Sequence, residues 1–137
     1  LQRGCASLHI ANRTAANRDA LIAQLQPTKG DIPVHGFSPQ DIPHDLPANT
    51  LVINGTSAGL KAGDPLPVDL KALPKPCGVF DMIYNPAEAK LLAAAAAQGI
   101  PTANGLSMLI HQGVRALEIW SDTAVPFDAM RRAVIAK

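Results

Sequence analysis

The sequence carries Asn12-Arg13-Thr14 at the close of an alternating apolar segment, with Arg18 one helical turn further on. In doubly wound dinucleotide folds the end of the second strand selects the cofactor: a carboxylate there accepts the ribose hydroxyls of NAD, whereas an Arg accommodates the extra phosphate of NADP. No carboxylate stands at this position, and a guanidinium beside hydroxyl and amide donors suits a dianionic phosphate. Taken alone, the three residues read first as an ordinary helix cap beside a solvated Arg, because short motifs often match by chance.

Other constellations carry less. His9, His35, His44 and His111 lack HExxH-type spacing, so no metal site and no histidine base is expected. Ser57 has no Gly-x-Ser-x-Gly elbow, and Lys61 and Asp64, though close, lie in an irregular stretch, so no catalytic acid, base or nucleophile is assigned. Cys5 and Cys77 stand far apart without a CxxC, which argues against a disulfide framework and suits a reducing, cytoplasmic setting. Twelve Lys+Arg against eleven Asp+Glu give a net charge of +1, too weak a field for nucleic acid or an anionic membrane as main partner. The longest small-apolar run, Leu91 to Ala97, is far shorter than the roughly 18 to 20 residues that span a bilayer.

Elements that could position these residues follow from periodicity and turn chemistry. Strands are expected at Ser7 to Ala11, Ile32 to Phe37, Thr50 to Asn54, Val79 to Tyr84 and around Ile100 to Ala103. The run Leu51-Val52-Ile53 reads as a strand buried on both faces. Helices are expected at Ala15 to Gln26, with Thr14 as N-cap and Pro27 as stop, and at Ala87 to Gln98, closed by Gly99. Two more should run from Gly105 or Leu106 to about Trp120, with Leu106, Leu109, Ile110, Leu117 and Trp120 on one side, and from Phe127 to Ala136. Strands alternating with helices imply an α/β domain with a mostly parallel sheet.

Four motifs then converge: Asn12-Arg13-Thr14; Asn54-Gly55-Thr56-Ser57-Ala58-Gly59-Leu60; Asp81-Met82-Ile83-Tyr84-Asn85-Pro86; and Asn104-Gly105-Leu106-Ser107-Met108-Leu109-Ile110-His111-Gln112. In their order and spacing the chain resembles the C-terminal, cofactor-binding part of shikimate dehydrogenases. The resemblance implies a Rossmann-like, doubly wound sheet and NADP-dependent reversible reduction of 3-dehydroshikimate to shikimate, a step toward aromatic amino acids. It implies that Asn12, Arg13, Thr14 and Arg18 clamp the adenosine phosphate, with Thr56 and Ser57 near the adenosine. Met82, Gly105, Met108 and Leu109 would wall the nicotinamide, while Tyr84 and Gln112 would face the small-molecule substrate. Read without the family, the Met and Leu residues serve equally as core filler, and Tyr84 and Gln112 as satisfied surface groups.

The chain departs from the family pattern at four places. Asn104 stands where Asp is frequent, Ser107 where Gly is, and Ala89 where a capping Thr is usual. Asn17 occupies the position of a basic residue, with Arg18 one later. The resemblance also implies parts that these residues do not contain: the first strand with its glycine-rich turn, and an N-terminal substrate domain bearing the Lys and Asp that handle the proton. Leu1-Gln2-Arg3-Gly4 reads as the end of the helix following that turn. Residues 1–122 are accordingly expected to form a partial NADP-binding domain and 123–137 a helix that packs on the substrate domain. The strands at Leu8 to Ala11 and Leu51 to Ile53 should not pair with each other, and the 137 residues alone should not form a stable active monomer. That domain or a homodimer partner would complete the fold; a non-catalytic NADP-binding module, or a quinate/shikimate enzyme of other cofactor preference, is the competing reading.

Overall fold

Leu8 and Ile10 begin the first strand, β1 (Leu8–Ala11), which the helix α1 (Ala15–Leu25) connects to a parallel neighbour, β2 (Val34–Phe37). The computed structural model describes residues 4–61 and 63–135, and the chain divides into two units, Leu1–Leu46 and Pro47–Lys137. Leu1, Gln2 and Arg3 of the expected leading helix turn lie outside the described residues, as does Ala136; Gly4 has the left-handed φ of +75° that ends helices.

In the first unit, His9 pairs in register with His35 and Ile10 with Gly36. A Cβ on Gly36 would stand 2.7 Å from Ile22 Cδ1 and 2.8 Å from Arg18 Cδ, so α1 lies on β2 through the bare backbone of this glycine. The strand expected from Ile32 begins after Pro33, which has no N–H to give a ladder, and the Pro33 carbonyl accepts from the Leu8 N–H at 2.9 Å. His9, His35 and Phe37 form a stack, with ring centroids 5.1 Å apart for the two histidines and 5.8 Å for His9 and Phe37. Alternation along the strands puts this stack on the sheet face opposite Gly36.

The second unit is a three-stranded parallel sheet in the order β3 (Leu51–Asn54), β4 (Gly78–Asp81), β5 (Thr102–Asn104). Its core is Leu70, Val79, Leu91, Leu92, Ala95 and Ile100, with Val52 packed against it. Helix α2 (Lys90–Ala96) supplies three of these, and its small Ala95, fully buried, lets the helix lie close on β4 and β5. It starts three residues later than Ala87, with Ala89 at the N-cap making no side-chain cap bond, and Gly99 takes the expected left-handed φ of +64° behind it.

Two expectations about burial fail here. Leu51 and Ile53 are 53% and 60% exposed, so β3 is not covered on both faces. The covering elements, α2 and the short 3-10 helix Leu70–Ala72, lie on the Val52 and Val79 face, and Leu51 and Ile53 alternate away from it. On α3 (Leu106–Ser121) the buried residues are Ile110 and Val114, one turn apart, while Leu109, Leu117 and Trp120 are exposed. Packing chose the stripe: α4 (Phe127–Ile135) lies on α3, Phe127 stacks on His111 at 4.2 Å, and Met130 reaches Gly113. Val134 and Ile135 of α4 remain exposed.

Each unit has its own parallel ladder, β1 with β2 in the first and β3 with β4 and β5 in the second. No helix among the described residues is long and apolar enough to cross a membrane.

His9 gives the first unit a pH signature. Burial, with His35 beside it, lowers its pKa from 6.5 against an opposing pull from Asp45. Its Nε2 lies 3.0 Å from Ser7 Oγ, while its buried Nδ1 has no partner among the described residues. The unfolded chain therefore takes up the proton first as pH falls, so the stabilising contribution is complete above pH 6.5 and is lost on descent through the depressed folded value. We expect the melting temperature to drop between about pH 7 and about pH 5, and His9→Leu to flatten that slope. Thermal melts of the two proteins across this range check it; parallel slopes would contradict it.

Candidate cofactor-binding site

A parallel sheet presents the carboxyl ends of its strands along one edge, and ligands of open α/β folds bind outside that edge. In the second unit the quoted motifs all begin there: Asn54-Gly55-Thr56-Ser57 leaves β3, Asp81-Met82-Ile83-Tyr84 leaves β4, and Asn104-Gly105 leaves β5 into α3. The three exits are tied together. Met82 N–H donates to the Asn54 carbonyl at 3.0 Å, and Gly105 N–H donates to the Ile83 carbonyl at 3.4 Å.

Gly105 is where the exits come closest. A Cβ there would overlap the Met82 carbonyl oxygen and stand 2.7 Å from the Met82 carbonyl carbon, which is backbone and cannot swing aside. Only glycine lets α3 begin against the end of β4. Asn104 secures the same start: its Oδ1 accepts from Leu106 N–H at 3.1 Å and its Nδ2 donates to the Ala87 carbonyl at 2.9 Å. A carboxylate could make the first bond but not the second. The departure to Asn thus adds a tie to the segment before α2.

The side chains expected to wall the nicotinamide are accessible. Met82 is exposed, and its Sδ would lie 3.4 Å from a Cβ on Gly55. Leu109 is exposed and Met108 half-buried, one turn into α3. Tyr84 and Gln112 are both exposed, on the β4 exit and on α3 one turn beyond Met108. Thr56 is fixed by its backbone N–H and Oγ1, both donating to Asn54 Oδ1 at 3.0 and 2.8 Å, and Ser57 by its carbonyl, which accepts from Leu60 N–H at 3.1 Å.

In the first unit, Asn12, Arg13 and Thr14 sit at the carboxyl end of β1. Asn12 N–H donates to the Phe37 carbonyl, and its Oδ1 accepts from Thr14 N–H at 2.9 Å. Thr14 is the N-cap residue of α1, as expected, but its side chain makes no capping bond; its backbone N–H donates to Asn12 instead. Arg13 between them is exposed. Arg18 is held differently: its stem rests over Gly36, its Nε donates to Asp19 Oδ1 at 2.8 Å, and that bond holds the guanidinium still more firmly protonated.

Two residues escaped the reading of the sequence as site residues. Asn54 and Asp81 are the buried polar side chains among the described residues, and Asn54 Nδ2 donates to Asp81 Oδ1 at 3.1 Å. The available signal was two polar residues closing two apolar strands. Asp64, by contrast, accepts from the Lys61 backbone N–H at 2.9 Å, an ordinary turn bond. Among the described residues no group of three or more His, Cys, Asp or Glu could hold a metal ion.

In the second unit the three strand ends carry glycine-bared backbone, thioether and aliphatic surface and hydroxyls; in the first unit, taken by itself, the end of β1 carries the exposed Arg13 with no carboxylate in the Asn12-Arg13-Thr14 turn. The family model described as the shikimate 5'-dehydrogenase C-terminal domain matches residues 105–135. A shikimate dehydrogenase (NADP(+)) of Rhodopseudomonas palustris strain BisB18 is 39% identical over 135 residues, 98% of this chain and 47% of that protein. The chain thus spans about half the length of the curated relatives it matches. Among solved structures, quinate dehydrogenase from Corynebacterium glutamicum in complex with NAD is similar with a TM-score of 0.84 and 29% identity, over 99% of this chain and 48% of that one. A shikimate 5-dehydrogenase from Listeria monocytogenes, in complex with shikimate and NAD, has a TM-score of 0.79 and 28% identity, over 96% of this chain and 48% of that one.

The Gly105 contact makes a prediction. Gly105→Ala in the complete protein should destabilise it by about 1 to 3 kcal/mol, the usual cost of forcing an extra carbon into a packed site. Denaturant unfolding measures it, and an unchanged midpoint would show that α3 can retreat from Met82.

Proposed function

From the match of nearly this whole chain to the C-terminal part of shikimate dehydrogenases, we propose that it is the cofactor-binding part of an enzyme that reversibly reduces 3-dehydroshikimate to shikimate with NADPH. The observation that carries the reading is the meeting of Thr56, Met82 and Gly105 at the carboxyl ends of three parallel strands, in the positions that the family motifs assign to a dinucleotide. When bound, the dinucleotide supplies the hydride that reduces a ketone.

The chain's own residues then bind, orient and select. Arg13, Thr14 and Asn12 hold the adenosine phosphate; Arg18, already engaged by Asp19, adds positive charge beside it. Thr56 and Ser57 line the adenosine side, and Met82, Gly105, Met108 and Leu109 exclude water from the nicotinamide side. Tyr84 and Gln112 face the hydroxyls and carboxylate of the substrate. Such positioning is worth up to about 7 to 11 kcal/mol of barrier. No residue described here is assigned the proton transfer, which belongs in the resembling family to a Lys and an Asp of the substrate domain.

Residues 1–122 correspond in this reading to part of the NADP-binding domain. Residues 123–137 correspond to a helix docking on the substrate domain, supported by α4 having no buried residue. Free, exposed Cys5 and Cys77 and the lack of a membrane-spanning helix among the described residues suit a cytoplasmic enzyme. A quinate dehydrogenase using NAD is the second reading, favoured by the likeness to the Corynebacterium glutamicum structure.

Steady-state assays of the complete protein separate these readings. NADPH oxidation with 3-dehydroshikimate should exceed turnover with NADH, and Arg13→Glu should lower kcat/KM for NADPH at least tenfold more than for NADH, about the worth of one charge-assisted contact of 1.5 to 3 kcal/mol. Equal losses with both cofactors would contradict the phosphate clamp.

A further inference from the structure

Building on the reading above, we propose that the buried Asn54 and Asp81 pair is a positioning bridge that sets the adenosine-side loop after β3 and the nicotinamide-side wall after β4 and β5 in one fixed geometry. Asn54 and Asp81 are the last residues of adjacent strands and register partners, 4% and 0% exposed.

Asn54 is used on every side. Its Nδ2 donates to Asp81 Oδ1 and to the Ala58 carbonyl, each at 3.1 Å, and its Oδ1 accepts both the N–H and the hydroxyl of Thr56. One amide therefore shapes the loop from Gly55 to Ala58. Asp81 works in the other direction: its Oδ1 also accepts from Ile83 N–H at 3.0 Å, fixing the backbone around Met82, and the Ile83 carbonyl in turn receives Gly105 N–H. A continuous path of bonds thus runs from Thr56 through Asn54, Asp81 and Ile83 to Gly105.

Stability alone does not account for this pair. Asp81 Oδ2 is buried with no partner among the described residues, and an unpaired buried acceptor is a net penalty that two apolar side chains of the same shape would avoid. Polar groups that break packing rules in this way are expected where function requires them. The same side chains order three loops at the ligand edge of the sheet, which is what the penalty secures.

The test uses the complete protein, with NADP binding followed by calorimetric titration and folding by thermal melting. Asn54→Asp sets two carboxylates against each other and should raise the Kd for NADP about tenfold or more. Adding Asp81→Asn restores a donor facing an acceptor between the two side chains, though not the bond to the Ala58 carbonyl, and should lower the Kd at least about threefold from that of the single variant. Melting measured alongside separates the roles: a pair that only supports the fold would lose and regain affinity in step with stability, whereas a positioning bridge loses affinity in protein that is still folded at the titration temperature. Binding left unchanged by Asn54→Asp, or unrescued in a double variant that melts like wild type, would overturn the bridge. Should Asn54→Asp fail to fold, Asp81→Asn alone decides: weakened charge-assisted bonds should raise the Kd at least about threefold, and an unchanged Kd would overturn the proposal. Wild-type protein that bound neither NADP nor NAD would instead overturn the functional reading, and this inference with it.

Discussion

Parallel pairing of β3, β4 and β5 is the constraint from which the candidate site follows. The register that sets Asn54 opposite Asp81 and Asp81 opposite Asn104 also brings three chain exits to one edge. Crossovers must then return over the sheet, and the alanine-rich α2 does so on the Val52 and Val79 face, burying Leu91 and Ala95 completely. With the strands so held, the start of α3 can approach the end of β4 only at a residue without a side chain, and that residue is Gly105. The thioether of Met82 and the hydroxyl of Thr56 owe their places to this backbone.

The first unit meets a related demand with other means. At the end of β1 the Asn12 side chain satisfies the Thr14 N–H, so the turn does not depend on Arg13, which is left exposed. A residue the fold does not use is available to a ligand. Arg18 shows the opposite case: its stem fills the space over Gly36 and its Nε bonds Asp19, so most of its role is within the fold.

Much of this was legible in the residues. Order and type of every strand and of the four helices followed from alternation, helical spacing, and the stop signals Pro27 and Gly99. Boundaries were less so: strand residues such as Ser7, Met82 and Tyr84 lie outside the ladders, because pairing with a neighbour, not local pattern, ends a strand. An apolar run like Leu51-Val52-Ile53 announces a strand without revealing which faces are covered, since cover comes from elements distant in sequence. The stripe on α3 differs for the same reason: Ile110 and Val114 are its buried residues, and α4, distant in sequence from the strands that precede it, packs on this helix at His111 and Gly113. Asn54 and Asp81 were visible as motif letters, but their bond joins residues 27 apart and only register reveals it.

In the proposed function the carboxyl edge of β3, β4 and β5 receives a nicotinamide dinucleotide. This chain has three methionines, Met82 and Met108 at that edge and Met130 on α4, so their methyl groups are internal reporters. Methyl NMR of the complete protein, with these three signals assigned by substitution, follows the edge during titration with NADP. Met82 and Met108 should shift saturably while Met130 stays in place. Saturable NADP binding that left Met82 and Met108 unmoved would contradict it.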